Sequence, residues 1–337
     1  MMKAIVLPVA EGPRAVRYEE VETPQPKADE VLIRLRFAAL NRRDVWISHG
    51  TYRNMKLPVI LGSDGAGEVA ACGSNVRHVQ VGDPVIINPG MRWGNSEAYP
   101  DKNFEILGMP TNGTFAQYVV VPAEQVYPKP EHLTWEEAAA LPLAGVTAYR
   151  ALVSRGQVQP GETVLIPGIG SGVALYALQM ALAKGARVYV TSSSDEKIAR
   201  AMEMGASGGV NYRHEDWHKQ LRQLMGGGAD LIIDGVSGPN FVRLVELTNP
   251  GGRIVNFGMT GGVVPHLAMR DLFFRQMDIR GTTMGSPRDF AGMLELYSQH
   301  QLRPVIDRTY PLASAAEALT RMDEGQNFGK IVLEIPE

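Results

Sequence analysis

Gly168, Gly170 and Gly172 stand at alternate positions, with Ser171 between the last two. Glycines so spaced suit anion binding, because without a Cβ the backbone turns sharply and a ligand can approach the main chain. The apolar run at 163–167, rich in β-branched residues, reads as a strand. Apolar residues then recur at helical spacing from Val173 to Lys184, and Gly185 supplies a stop. A second strand follows at 187–191. Strand, glycine turn, helix and strand place a dinucleotide pyrophosphate over a helix N-terminus, where orphan N–H groups and the macrodipole favour an anion. The pattern is G-x-G-x-G-x-A, closing on Ala174, rather than G-x-G-x-x-G. Outside this βαβ setting it would signify only a tight turn.

Cofactor choice rests on the tip of the second strand. An acid about 20 residues into such a unit binds the ribose hydroxyls of NAD. Here Ser192, Ser193 and Ser194 fill that place, with Lys197 one turn on. Hydroxyls plus an ammonium suit the 2′-phosphate of NADP. The same serines can also cap the next helix, with Asp195 as the nearby acid.

His214-Glu215-Asp216-Trp217-His218 spells H-E-x-x-H, the helical metalloprotease motif. A zinc protease needs a third ligand and a sheltered cleft. The neighbours Asn211, Tyr212, Arg213, Lys219 and Gln220 read instead as a strand end and a solvated helix start. The match is expected to be coincidental. Asn112-Gly113-Thr114 is likewise a glycosylation sequon without a secretory route.

The elements that must position these residues are set by ordinary composition. A length of 337 residues suggests two domains, each able to bury a core. Apolar residues at 45% and charged residues at 20% describe a soluble protein. A net charge of −3 gives no basic footprint for nucleic acid. With no long apolar run and no signal peptide, no membrane span is expected and the chain reads as cytoplasmic. Cys72, the only cysteine, sits among Ala70, Ala71 and Gly73 and reads as a small filler.

Residues 1–122 read as short strands at 3–7, 30–39, 67–71, 83–87 and 116–121, the pattern of a compact, mostly β barrel-like domain. Residues 131–153 read as helix, with Thr134 and Glu137 as a capping box. Helices at 195–204, 215–225 and 238–247 then alternate with strands at 207–211, 229–234 and 252–257, which is an α/β doubly wound parallel sheet. The tail from 286 holds two amphipathic helices and a last strand, 330–335, expected to return to the first domain. The expected division is 1–123 plus 287–337 for the first domain and 124–286 for the second.

Landmarks spread along the whole chain resemble the medium-chain dehydrogenase/reductase superfamily. They are Asn41 and Asp44 after Phe37-Ala38-Ala39-Leu40, then Gly62-Ser63-Asp64-Gly65-Ala66-Gly67 and Gly145-Val146-Thr147-Ala148-Tyr149. Beyond the glycine turn come Gly251-Gly252-Arg253-Ile254-Val255-Asn256-Phe257-Gly258 and Gly329-Lys330-Ile331-Val332-Leu333. The resemblance implies a GroES-like, mostly β barrel domain joined to a Rossmann domain, with the active site in the cleft between them. It also implies a homodimer, formed around 279–284 after Leu272-Phe273-Phe274, where this superfamily joins Rossmann sheets edge to edge.

In the zinc alcohol dehydrogenases of that superfamily a catalytic zinc is held by Cys, His and Cys. The matching positions here are Asn41, Ser63 and Leu143, which cannot make a tetrahedral N/S site, and Asp64 survives beside them. The family's second zinc lies in a four-cysteine lobe, and the matching segment 88–108 has no cysteine. No metal is therefore expected. Without Lewis-acid polarisation, the chain looks like the zinc-free quinone and alkenal reductases, whose conjugated substrates spread the incoming charge.

For that branch the resemblance implies Asn41 as a donor to substrate oxygen, Tyr52 as a group that orients or protonates substrate, and Ser63 near the former metal position. Thr147 is implied beside the nicotinamide, with Phe257, Gly258 and Met259 at a strand end bordering the cofactor. Tyr212 borders the adenosine phosphate, Lys330 lies near the pyrophosphate, and Arg42 is a weaker second cation. Asp44 ties down its loop. Gly168, Gly170, Ser171, Gly172, Val173, Ser192, Ser193 and Lys197 complete the expected NADPH site. A relative that binds NADPH but has lost catalysis would keep the same Rossmann residues, and a zinc-type alcohol dehydrogenase is a further alternative.

Overall fold

The computed structural model describes residues 1–337, and the chain divides into two compact units: Met1–Ala144 with Ser286–Glu337, and Gly145–Gly285. The expected boundary near 123 moves to Ala144 because the helix Trp135–Ala140 belongs to the first unit. Ala140 packs with Ala39 and Val332, while Glu136 and Glu137 bond to Thr309 and Arg303. Thr134 and Glu137 cap this helix reciprocally, at 2.9 and 3.2 Å.

The single helix expected over 131–153 is broken. Trp135–Ala140 is followed by Pro142–Tyr149 and then by a π-helical stretch, Arg150–Arg155. Pro142 has no N–H to continue the first helix and instead opens the second, where a missing donor does no harm.

In the first unit the strand Glu30–Ala39 is the hub. It pairs antiparallel with Asp64–Cys72, Tyr118–Pro122 and Lys330–Glu334. The last strand therefore returns to the first unit, with Val332 opposite Ala39 and Leu333 opposite Ala38. A second sheet is ordered Arg17–Val21, Met2–Leu7, Val59–Ile60. Ile5, Leu7, Ile33, Leu35, Phe115 and Leu333 form part of the shared core. In Met2–Leu7 the neighbours Ala4 and Ile5 are both buried, so this strand is covered on both faces.

The second unit holds six strands, ordered Gly208–Asn211, Arg187–Ser192, Thr163–Ile166, Ala229–Asp234, Thr248–Asn256, Asp278–Gly281. Every neighbouring pair is parallel. In chain order that is the doubly wound dinucleotide-binding arrangement. Thr163–Ile166 is buried at every position, as a central parallel strand should be. No helix is long and apolar enough to cross a membrane.

Candidate active site

The helix Arg42–Ser48 starts where an Asn supplies an extended N-cap and an Asp stands three residues on. The Asp44 carboxylate accepts the backbone N–H of Asn41 at 2.7 Å, which fixes the chain entry. That turn carries Asn41, Arg43 and Asp44 into the interior, at 6%, 5% and 0% exposure. Burial pushes the Asp44 carboxyl up to about 6, against the pull of the Arg43 guanidinium, and its Oδ1 has no hydrogen-bond partner.

Asp64, at the start of its strand, gathers the first half of the site. Its Oδ2 accepts from Asn41 Nδ2 at 2.9 Å and from Lys330 Nζ at 2.9 Å, and its Oδ1 accepts from the Leu143 backbone N–H at 2.8 Å. Lys330 Nζ also donates to Asn41 Oδ1 at 2.8 Å. The amide orientation follows from charge: the ammonium meets its oxygen and the carboxylate meets its nitrogen. Lys330 is thus buried in the first unit with its ammonium engaged by two partners, which a pyrophosphate would have to displace.

The second half is built on Arg43, which the sequence reading passed over. Its guanidinium donates to Ser63 Oγ at 2.6 Å, to Leu107 O at 2.7 Å and to Tyr52 Oη at 3.2 Å. Ser63 in turn donates to Leu107 O at 2.8 Å and is fully buried. Its proton is committed to that carbonyl, so it has none left to donate to a substrate. A signal was present: Arg42 and Arg43 occupy a first helical turn, where the macrodipole disfavours cations. Arg42 is half-buried, and burial lowers its pKa against the pull of Asp323.

These residues do not fit zinc. The positions that resemble the ligands offer an amide paired with Lys330 and Asp64, a hydroxyl paired with Arg43 and Leu107, and an alkyl chain. Two buried cations already occupy the cluster. No three His, Cys, Asp or Glu residues come together in a way that could hold a metal. In H-E-x-x-H the helix Trp217–Met225 begins after His214, so the histidines do not share a helix face. The segment that resembles the cysteine lobe is a hairpin, Gly90–Met91 with Glu105–Ile106. Buried Trp93 packs edge-on against Phe104 at 5.2 Å, and an Arg92–Glu105 ion pair closes it.

The second unit fits a dinucleotide. Gly168 and Gly170 take φ of 67° and 119°, which glycine adopts readily. Ser171 caps the helix Gly172–Ala183 by accepting from Ala174 N at 3.4 Å, leaving Val173 in its first turn. Ser192 ends its strand, buried, and its Oγ accepts from Ser194 N at 3.2 Å. Ser194 caps the next helix by accepting from Lys197 N at 3.3 Å, and Asp195 accepts from Asn211 at 3.0 Å. Ser193 is half-buried beside them. Tyr212 follows the strand Gly208–Asn211 and packs on the unit's core. Thr147 is buried on the helix Pro142–Tyr149.

Asp234 was missed and organises the far side. It accepts from Val236 N at 2.9 Å, Ser237 N at 3.1 Å and Asn256 Nδ2 at 2.9 Å, and burial raises its pKa. The loops at Gly235 and at Phe257, Gly258 and Met259 meet so closely that a Cβ on Gly235 would stand 2.4 Å from the Phe257 ring. Gly168, Ser192, Tyr212, Asp234 and Phe257 end or closely follow parallel strands, on the side where open α/β sheets bind ligands.

Two family descriptions match the chain: "Alcohol dehydrogenase GroES-like domain" over residues 27–131 and "Zinc-binding dehydrogenase" over residues 172–299. A similar protein is the "Zinc-type alcohol dehydrogenase-like protein YogA" of Leptosphaeria maculans, 37% identical, covering 94% of this chain and 93% of its own. The human "Quinone oxidoreductase" is 29% identical over 99% of this chain and 98% of its own. A solved structure named "NAD-dependent alcohol dehydrogenase" superposes with a TM-score of 0.95 at 39% identity, covering 99% of this chain and 100% of that one.

Proposed function

The chain belongs to the medium-chain dehydrogenase/reductase superfamily of oxidoreductases, and we propose that it uses NADPH to reduce a quinone or an α,β-unsaturated carbonyl compound without zinc. The observation that carries this reading is the closed set of Asn41, Asp64 and Lys330, standing with Ser63 and Leu143 where the resemblance would put metal ligands. A metal's polarisation is worth several kcal/mol, and a conjugated acceptor needs less of it. When bound, the nicotinamide cofactor supplies the hydride.

Asn41 Nδ2 keeps one N–H beyond that given to Asp64. In this reading it donates to the oxygen where charge develops, while Lys330 and Asp64 prevent the amide from turning. One such donor contributes about 10²–10³ in kcat. Tyr52 supplies the proton that completes reduction. In the second unit Ser192 stands where an acid would select NAD, so the site accepts a 2′-phosphate, with Lys197 close in sequence.

The similar structure named NAD-dependent alcohol dehydrogenase favours a second reading, oxidation of an alcohol by NAD⁺. A cofactor-absorbance screen, with NADPH and NADH over quinones, enals and enones and with NADP⁺ and NAD⁺ over alcohols, separates the two, together with elemental analysis. NAD⁺-linked alcohol oxidation, with about one zinc per chain whose removal abolishes activity, would replace the first reading. NADPH binding with no turnover on any substrate would make the chain a nucleotide-binding protein. We also propose a homodimer: Asp278–Gly281 is a sheet edge with Ile279, Phe273 and Phe274 exposed nearby. A monomer mass by light scattering at micromolar concentration would count against it.

A further inference from the structure

We infer that Arg43 is a positioning residue that aims the Tyr52 hydroxyl for proton delivery, an inference that rests on the reductase reading above. Arg43 is 5% exposed, and its hydrogen-bond partners are all neutral. Nη1 donates to Ser63 Oγ and Leu107 O, and Nη2 reaches Met109 O at 3.2 Å and Ile106 O at 3.5 Å. Nε donates to Tyr52 Oη at 3.2 Å, and the guanidinium carbon lies 4.8 Å from the Tyr52 ring centroid. The Asp44 carboxyl acts on this guanidinium only through space, without a hydrogen bond, and a buried cation whose hydrogen bonds all go to neutral groups is expensive. Stapling the carbonyls of residues 106, 107 and 109 requires neither that charge nor a phenol.

The chemistry gives the charge a use. With Nε–H on the phenol oxygen, Tyr52 acts as acceptor toward Arg43, so its own O–H points elsewhere. Hydride addition to a conjugated carbonyl leaves a substrate anion. The Tyr52 O–H bond breaks as its proton passes to that anion, and the electron pair left on the phenol oxygen faces a fixed cation. Solvent returns the proton, so each turnover consumes a hydride and a proton. Ser63 belongs to the same device: it accepts from Nη1 and donates to Leu107 O, which locks the guanidinium plane.

The test is a double-mutant cycle on the NADPH-loaded enzyme, with 1,4-naphthoquinone and 2-cyclohexenone as probes and thermal unfolding alongside. Tyr52→Phe and Arg43→Gln should each lower kcat by about 10²-fold with little change in KM. The double variant should be no slower than Tyr52→Phe, because Arg43 acts through Tyr52, and Arg43→Lys should recover part of the loss. Losses that multiply in the double variant would overturn the inference. A second arm needs no turnover: the Arg43 Nε–H resonance, followed by NMR, should exchange slowly in wild type and rapidly in Tyr52→Phe. Unchanged exchange in Tyr52→Phe would overturn the inference even if Arg43→Gln fails to fold. Absence of wild-type turnover on both probes would instead sink the substrate reading, with the resonance arm still deciding the role of Arg43.

Discussion

The polar cluster around Lys330 and the strand tips of the six-stranded sheet are built from different materials. The cluster consists of side chains brought together from far apart: Lys330 and Asn41 are 289 positions distant. The strand tips are made from backbone, with glycine φ values and caps spanning three residues, as from Ser194 to Lys197. A backbone site is dictated locally and tolerates change in its side chains. A buried charge cluster needs the whole first unit to be folded, and each member lost strands its partners.

The largest expected effect follows from that dependence. Lys330→Met leaves Asp64 charged at 0% exposure without its ammonium. Breaking a buried pair from one side costs about 3–5 kcal/mol, visible as a lower urea midpoint. Adding Asp64→Leu removes the stranded charge and should restore most of the stability, while the Asn41 amide stays unheld and kcat stays low. If Lys330→Met is as stable as wild type, the cluster does not act as a structural unit.

Asp44 sharpens the comparison through pH. Its carboxyl is raised from 3.8 to about 6, chiefly by burial. The folded state therefore holds this proton more tightly than the unfolded chain. The associated stability is fully present below about pH 4 and is lost as pH rises through about 6. The loss amounts to roughly 2–3 kcal/mol at neutral pH. Asp44→Asn keeps an acceptor for the Asn41 N–H but cannot ionise, so its urea midpoint should gain on wild type between about pH 4 and pH 7. A constant difference between the two across that window would show that Asp44 does not titrate there.

What could be read from the sequence follows the same division. The parallel sheet, the glycine turn and the strand-tip serines depend on spacing within about 30 residues, where periodicity and turn chemistry operate. The return of Lys330–Glu334 to the first unit also matched the reading. Arg43 was missed because its acceptors are carbonyls of residues 106, 107 and 109, and a carbonyl leaves no trace in residue type. Asp234 was missed for a related reason: it accepts the backbone N–H groups of Val236 and Ser237. The resemblance implied Lys330 near the pyrophosphate, but its partners Asp64 and Asn41 could be assigned only once the last strand was seated beside Glu30–Ala39.

The smallest effect is expected at the strand tip, and it tests whether a backbone-built site also carries selectivity. Ser192 ends its strand at 4% exposure, with its Oγ taken by the Ser194 N–H. Ser194, not Ser192, caps the following helix, so a change at Ser192 can be made without uncapping it. Ser192→Asp places a negative charge where NADP carries its 2′-phosphate and where an acid would instead accept from ribose hydroxyls. A charge-assisted hydrogen bond to phosphate contributes about 1.5–3 kcal/mol, which is roughly ten- to a hundredfold in binding. Fluorescence titration should show NADPH weakened by about that factor in Ser192→Asp, with NADH unchanged or tighter. Lys197→Ala should weaken NADPH alone, and by less, because the helix N-terminus remains. Equal wild-type affinities for NADH and NADPH, unmoved by Ser192→Asp, would mean that the serines serve the local turn and cap only, and that selectivity lies elsewhere in the second unit.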